Sequence, residues 1–231
     1  MISKMKFIIL YTIFSLTIAG CISPKSFVDP TYPKVSYDEV KRKETPLRLI
    51  LLTEFQRNGE HLTKVDSILR DNTERVLRTS GVITPVVSDG EGQIKVIVNN
   101  VGDKGAAAAK GFGTGLTFGL VGTSVTDAYE MTVSITVNGK TVERTAIKHA
   151  LHTAIGNTSV PDGMETMPIN AAFERVLEQM ILRVLRDMQA TGELSHYPIF
   201  LPRHPSKIQS RTNSLDRIDP VAFSGGTGES I

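Results

Sequence analysis

Cys21 is the one cysteine in 231 residues, and it stands directly behind Leu16-Thr17-Ile18-Ala19-Gly20. Ahead of it lie Lys4 and Lys6, then thirteen mostly apolar residues from Phe7 to Ala19. A basic start, a short apolar run and small residues before a cut site make up a secretory signal. The run is too short to span a bilayer, which takes about 20 apolar residues. A lone thiol has no intrachain disulfide partner, and an unmodified one is a liability in an oxidising compartment. Buried free cysteines are common in cores, but a core residue has no reason to close a leader's apolar run. The chemistry that fits is modification of the sulfur.

The remaining candidates for chemistry are weaker. His149 and His152 lie three apart on an expected strand, so they face opposite ways and do not chelate one ion. His61 sits at a helix start, and His196 and His204 lie in the tail. With a single cysteine, the usual zinc sites are excluded and no metal is expected. Gly111, Gly113, Gly115, Gly119 and Gly122 satisfy neither GxGxxG nor GxxxxGK[ST], so no nucleotide cofactor is indicated. Ala107, Gly111, Gly115, Gly119 and Thr123 do form a small-residue series at four-residue spacing, which suits close backbone approach in a membrane or an oligomer. Gly111, Gly115 and Gly119 are the candidate contacts, against the plainer reading of a loop between two strands. No GxSxG is present. Glu174 and Glu178 flank Arg175 on a polar helix face, which a solvated charge face explains. No catalytic residue is assigned, and a non-enzyme is expected.

The ending Ile18-Ala19-Gly20-Cys21 resembles the lipobox of bacterial lipoproteins. The resemblance implies cleavage between Gly20 and Cys21, S-diacylglycerol and N-acyl groups on Cys21, palmitate among them, and a mature chain starting at that residue. Two or more acyl chains anchor stably, at about 0.8 kcal/mol per buried methylene. Ile22 and Ser23 follow the cysteine, where the family's inner-membrane retention signal carries aspartate. The address implied is the inner leaflet of an outer membrane, facing the periplasm.

Removing Lys4 and Lys6 from the 26 basic residues leaves 24, against 24 acidic ones. A balanced chain lacks the basic stripe that captures nucleic acid. Lys41-Arg42-Lys43 is the densest basic run, expected as a solvated stretch with a weak preference for anionic headgroups.

Residues 22–45 hold Pro24, Pro30 and Pro33 without a period, and the expected layout places a lipidated flexible tether at 21–45. Such a chain separates anchor from domain by on the order of 25–30 Å. The folded domain is expected over 46–192. Leu47 to Phe55 is apolar enough for a central strand covered on both faces. Leu62, Val65, Ile68, Leu69, Val76 and Leu77 recur at helical spacing, with Gly81 as the stop. Ile83–Val87 and Ile94–Val101 read as strands. Tyr129 to Val137 alternates apolar and polar, and Asn138-Gly139 is a strong hairpin signal before a return strand from Lys140 to about Ala154. Ile169 to Met188 carries one continuous apolar stripe with a charged opposite face. Thr166 and Asn170 are its candidate caps, and Pro168 suits its first turn.

The fold expected is α+β: an antiparallel sheet of four to five strands with two helices on one face, in the order β-α-β-β-β-β-α. A glycine- and alanine-rich insertion covers 102–126, and a disordered tail covers 193–231. The pattern is similar to the small α+β domains of periplasmic assembly lipoproteins, among them a subunit of the curli-secretion channel. Two functions stand open. One is a membrane-anchored, non-enzymatic assembly or adaptor factor that binds an envelope protein. The other is an oligomeric transport or secretion-pore component that uses 105–126 for membrane or subunit contact.

Overall fold

The computed structural model describes residues 25–102, 124–155 and 160–195. All belong to a compact unit spanning residues 1–199, and a second unit, 200–231, lies outside the described residues. The chain forms a mixed α+β structure with one seven-stranded sheet and two α-helices. In chain order these are β1 (Lys25–Val28), β2 (Leu47–Arg57), β3 (Glu60–His61), α1 (Asp66–Ser80), β4 (Ile83–Val86), β5 (Gly92–Val101), β6 (Ser124–Val137), β7 (Lys140–Ala154) and α2 (Ile169–Ala190). The sheet order is β1-β7-β6-β5-β2-β3, with β4 also paired to β2.

The sheet is larger than the four to five antiparallel strands expected, and it is mixed. Strand β2 pairs in parallel with β4 over Leu47–Ile50 and with β5 over Leu49–Arg57. Helix α1 provides the crossover that parallel neighbours need. Nor is β2 covered on both faces: Leu49 and Leu51 are fully buried while Leu52 is 40% exposed. Its apolar run reflects one core face plus a half-buried Ile50 and an exposed Leu52 on the other.

Both helices lie over the same sheet face. Their stripes, Leu69, Val76 and Leu77 from α1 and Val176, Leu177 and Met180 from α2, enter one core with Leu49, Val96, Met131 and Ile135. Each such side chain contributes about 1.5–3 kcal/mol on burial. Gly81 ends α1 at φ +68°, the left-handed stop expected there. Helix α2 uses neither candidate cap: Pro168 occupies its N-cap position without a side-chain cap. The Asn138-Gly139 turn has positive φ at both residues, the type I′ geometry that matches strand twist.

The largest departure lies in residues 25–45. Lys25–Val28 pairs antiparallel with Leu151–Ala154, and Val35 and Val40 are buried. The basic run is pinned as well. The Lys43 amide donates to the Gly81 carbonyl, its Nζ donates to the Leu194 carbonyl, and the Lys41 amide donates to Gln189 Oε1. The Lys43 ammonium thus sits just past the C-terminal end of α2, where positive charge is favoured. Residues 25–45 are therefore part of the folded unit and not a flexible tether. The domain also runs past 192, because Leu194 is buried and Glu193 pairs with Arg144. Strand β6 begins at Ser124, inside the span assigned to the insertion.

One irregularity sets the faces of β7. Between the pairs Val133↔Arg144 and Met131↔Ile147 the register shifts, and Ala146 adopts φ +53°. An extra residue at such a bulge exchanges the inward and outward sets of the strand beyond it. Val142 and Arg144 share the helix side before the bulge, and Ile147, His149 and Leu151 share it afterwards.

Candidate functional site

Cys21, Gly20, Gly111, Gly115 and Gly119 all lie outside the described residues, as do most of the 102–126 insertion, the tail beyond Ser195, His196 and His204. Glu174 and Glu178 do not form an acid–base pair. They tie α2 to α1 through Arg75, at 3.3 and 4.0 Å, and Glu178 accepts from the Tyr37 hydroxyl at 3.2 Å. His61 lies 2.7 Å from Asp66, whose other carboxylate oxygen accepts the Phe55 amide. Among the described residues no cluster of three or more His, Cys, Asp or Glu could hold a metal ion.

The two histidines of β7 do face opposite ways, and each is closed into its own network. On one side, Thr126 and His152 are direct register partners, and Oγ1 sits 2.9 Å from Nδ1. His152 Nε2 lies 3.2 Å from Asp29 Oδ2, in alignment too poor for a hydrogen bond but within range for charge. The other oxygen of Asp29 accepts both the amide and the hydroxyl of Thr31, at 2.8 and 2.7 Å. Burial pushes the Asp29 carboxyl up, while His152 and the two Thr31 bonds pull it down by more, so it lies below its ordinary value. The Phe27 ring packs on His152 at 5.2 Å, and Ser26 Oγ bonds Thr153 Oγ1 at 2.8 Å.

Hydroxyl, imidazole and carboxylate in a row is the order of a nucleophile relay. Here it follows from sheet register plus the turn after β1. The imidazole is 3% exposed and covered by Phe27, so the cluster works as a clasp between the N-terminal segment and β7.

On the helix side, His149 is 2% exposed. The Ala150 amide can only donate, and it points at Nδ1 from 2.9 Å. Nδ1 also lies 3.2 Å from the Ala150 carbonyl; the shorter amide contact favours Nδ1 as acceptor, with the proton on Nε2 facing Gln179 Oε1 at 2.7 Å. Burial holds His149 below the ordinary histidine pKa, in keeping with that neutral form, although the Gln179 bond acts the other way. The Tyr32 ring packs on it at 5.0 Å.

Beside these networks opens a pocket of about 250 Å³ between the segment after β1, the loop before α2 and the first half of α2. Phe27, Pro30, Met164 and Met167 give it apolar walls, and Lys34, Arg175 and Gln179 bring nitrogen donors. It is a concave site with convergent polar groups, the usual form of a small-ligand site.

Sequence reasoning missed Asp29, Tyr32, Lys34 and Gln179. Asp29-Pro30-Thr31 was the available signal, since an aspartate two residues before a donor forms an Asx turn. Gln179 had none, because a glutamine on an apolar stripe declares no partner.

No family model matches the chain, and no curated protein matches it. Among solved structures, the chain is similar to a neuraminyllactose-binding hemagglutinin homologue from Helicobacter pylori. The identity is 10% and the TM-score 0.31, covering 71% of this chain and 95% of that one. At that level the likeness carries no argument about this chain. What stands is the class defined above: a single mixed α+β sheet with its helices on one face.

Proposed function

We propose that the protein is a lipid-anchored envelope lipoprotein, acylated on Cys21 and acting as a non-enzymatic adaptor that binds an envelope protein. The reading rests on the lipobox-like ending and on how soon after it the folded unit starts. Only three residues lie between Cys21 and Lys25, where β1 begins. The four residue steps from one to the other reach at most about 14 Å when fully extended. That shortens the 25–30 Å expected of a tether and keeps the globule against the bilayer.

A partner has the helix-free sheet face and the outer side of β7 to use. Strands β1, β3 and β4 are two to four residues long and offer little template for strand addition, whereas β7 is paired with β1 only over Leu151–Ala154. The sheet face away from the helices is broader, with Leu52 and Thr132 on it and the Lys95–Glu54 pair at 3.0 Å. Crosslinking from position 52 in intact membranes tests the adaptor reading. It should yield one reproducible envelope protein that disappears with Leu52→Asp. Crosslinking at background level in repeated membrane preparations would count against it.

The second reading, an oligomeric transport or pore component, keeps one supporting observation. The residues between Val101 and Ser124, which hold most of 105–126, connect two neighbouring antiparallel strands, β5 and β6, paired up to Val101↔Ala128. The connection thus starts and finishes at the same end of the sheet. Deleting 105–123 should then change oligomeric state or membrane extraction. An unchanged profile removes this reading.

A further inference from the structure

We propose that the pocket between the 27–34 segment, the loop before α2 and α2 itself binds a small organic carboxylate with a short apolar body. This holds whether or not Cys21 is acylated, because it rests on the pocket alone.

The first support is an oriented donor. Gln179 is 6% exposed and lines the pocket. The Ala150 amide, closer to Nδ1 than the Ala150 carbonyl is, favours the His149 tautomer whose Nε2–H donates to Gln179 Oε1. The carboxamide cannot rotate without losing that bond. Its Nε2 has no partner among the described residues, so two hydrogens are left for something in the pocket. That nitrogen keeps contact with the open space of the pocket, where a ligand oxygen and water compete for it.

The second support is charge. Lys34 pairs with no acid among the described residues, and Arg175 reaches Glu178 only at 3.9 Å. Both line the pocket. Against them stand Asp29, already engaged by Thr31 and His152, and Glu165, which also lines the pocket. Two cations and one donor amide with two carboxylates beside them suit a monoanion better than a doubly charged phosphate. Planar oxygens that accept from an amide and a guanidinium together describe a carboxylate.

The third support is size and walls. At about 30 Å³ of liquid volume per water, 250 Å³ holds roughly eight waters. Phe27, Met164 and Met167 supply apolar lining. A branched chain of four or five carbons fills such walls, and methionine adapts to its shape. The same group is presented by a free branched-chain acid and by the C-terminal leucine of a polypeptide.

Calorimetric titration of the full chain at neutral pH tests this with four probes: 4-methylpentanoate, 4-methylpentanamide, inorganic phosphate and acetyl-Gly-Gly-Leu. The acid should bind with Kd about 1 mM, or about 0.5 kcal/mol for each of its eight heavy atoms. The amide and phosphate should bind at least about tenfold more weakly, one charge-assisted hydrogen bond being worth that much. Lys34→Met and Gln179→Glu should each weaken the acid about tenfold, and Lys34→Met does so without touching the core. Tighter binding of the tripeptide assigns the pocket to a polypeptide end, and tighter binding of the free acid assigns it to a small molecule. No saturable heat from either carboxylate would overturn the proposal. So would equal binding of the amide, or wild-type affinity in both variants.

Discussion

Asp29 and His152 meet at 3.2 Å, and through them a residue eight positions beyond Cys21 is fastened to the far end of a strand that starts at Lys140. Both side chains are almost wholly buried. The contact, with Ser26–Thr153 beside it, holds β1 in the sheet.

Asp29→Ala should therefore be severe. It leaves the Thr31 amide and the Thr31 hydroxyl without their acceptor and His152 without its neighbouring carboxylate. The expected loss is about 3 kcal/mol, from two hydrogen bonds to a charged group at about 1.5 kcal/mol each. Urea unfolding of the variant against the parent measures it, and a midpoint shift of the size seen for surface substitutions would contradict the clasp.

Acidification should destabilise the fold in two stages. His149 has a folded pKa below its ordinary 6.5, so the unfolded chain takes the proton first. Its contribution is complete above about pH 6.5 and declines as pH falls below that. Asp29 has a folded pKa below 3.8, so its contribution survives until pH falls under about 4. The groups facing His149 are Gln179, Asp29, Arg183 and the Tyr32 ring. Melting temperature should drop between pH 7.5 and 5.5, and His149→Gln should flatten that slope. A slope unchanged in the variant would assign it elsewhere.

Ala146 carries a left-handed backbone that costs an L-residue about 1–2 kcal/mol. Glycine removes that cost and adds back about 0.5–1 kcal/mol of chain entropy. Ala146→Gly should stabilise the protein by about 0.5 kcal/mol, readable as a small rise in denaturation midpoint. A loss of stability would mean that the alanine methyl packs against something the bulge needs.

Gly92 opens β5 with its α-carbon against β6, where an added Cβ would collide with the Thr136 carbonyl and approach Val137. Backbone cannot yield as a flexible side chain can. Gly92→Ala should cost about 1–3 kcal/mol, the usual range for overpacking. Parental stability in chemical denaturation would show that the β5–β6 register differs there.

The legible parts of this fold were the ones whose partners lie close in sequence. Tyr129–Val137, Asn138-Gly139 and the return strand form one hairpin, so local alternation and turn chemistry suffice. The α2 stripe needed only its own period. β1 was hidden because its four residues carry no period, prolines flank them, and their partners sit more than 120 positions away. The parallel pairs of β2 were hidden for the same reason of distance. Strand alternation did separate His149 from His152. What alternation could not show was the bulge at Ala146, which decides which of the two meets α2. The pocket stayed invisible because half of it belongs to residues read as tether.

The account turns most on the sulfur of Cys21. Mass spectrometry of the native protein, purified from membranes and digested, would settle it. The account predicts an N-terminal peptide starting at Cys21 that carries diacylglycerol and an N-acyl chain. A peptide still containing residues 1–20, or one with a free thiol and no fatty acid, would contradict it.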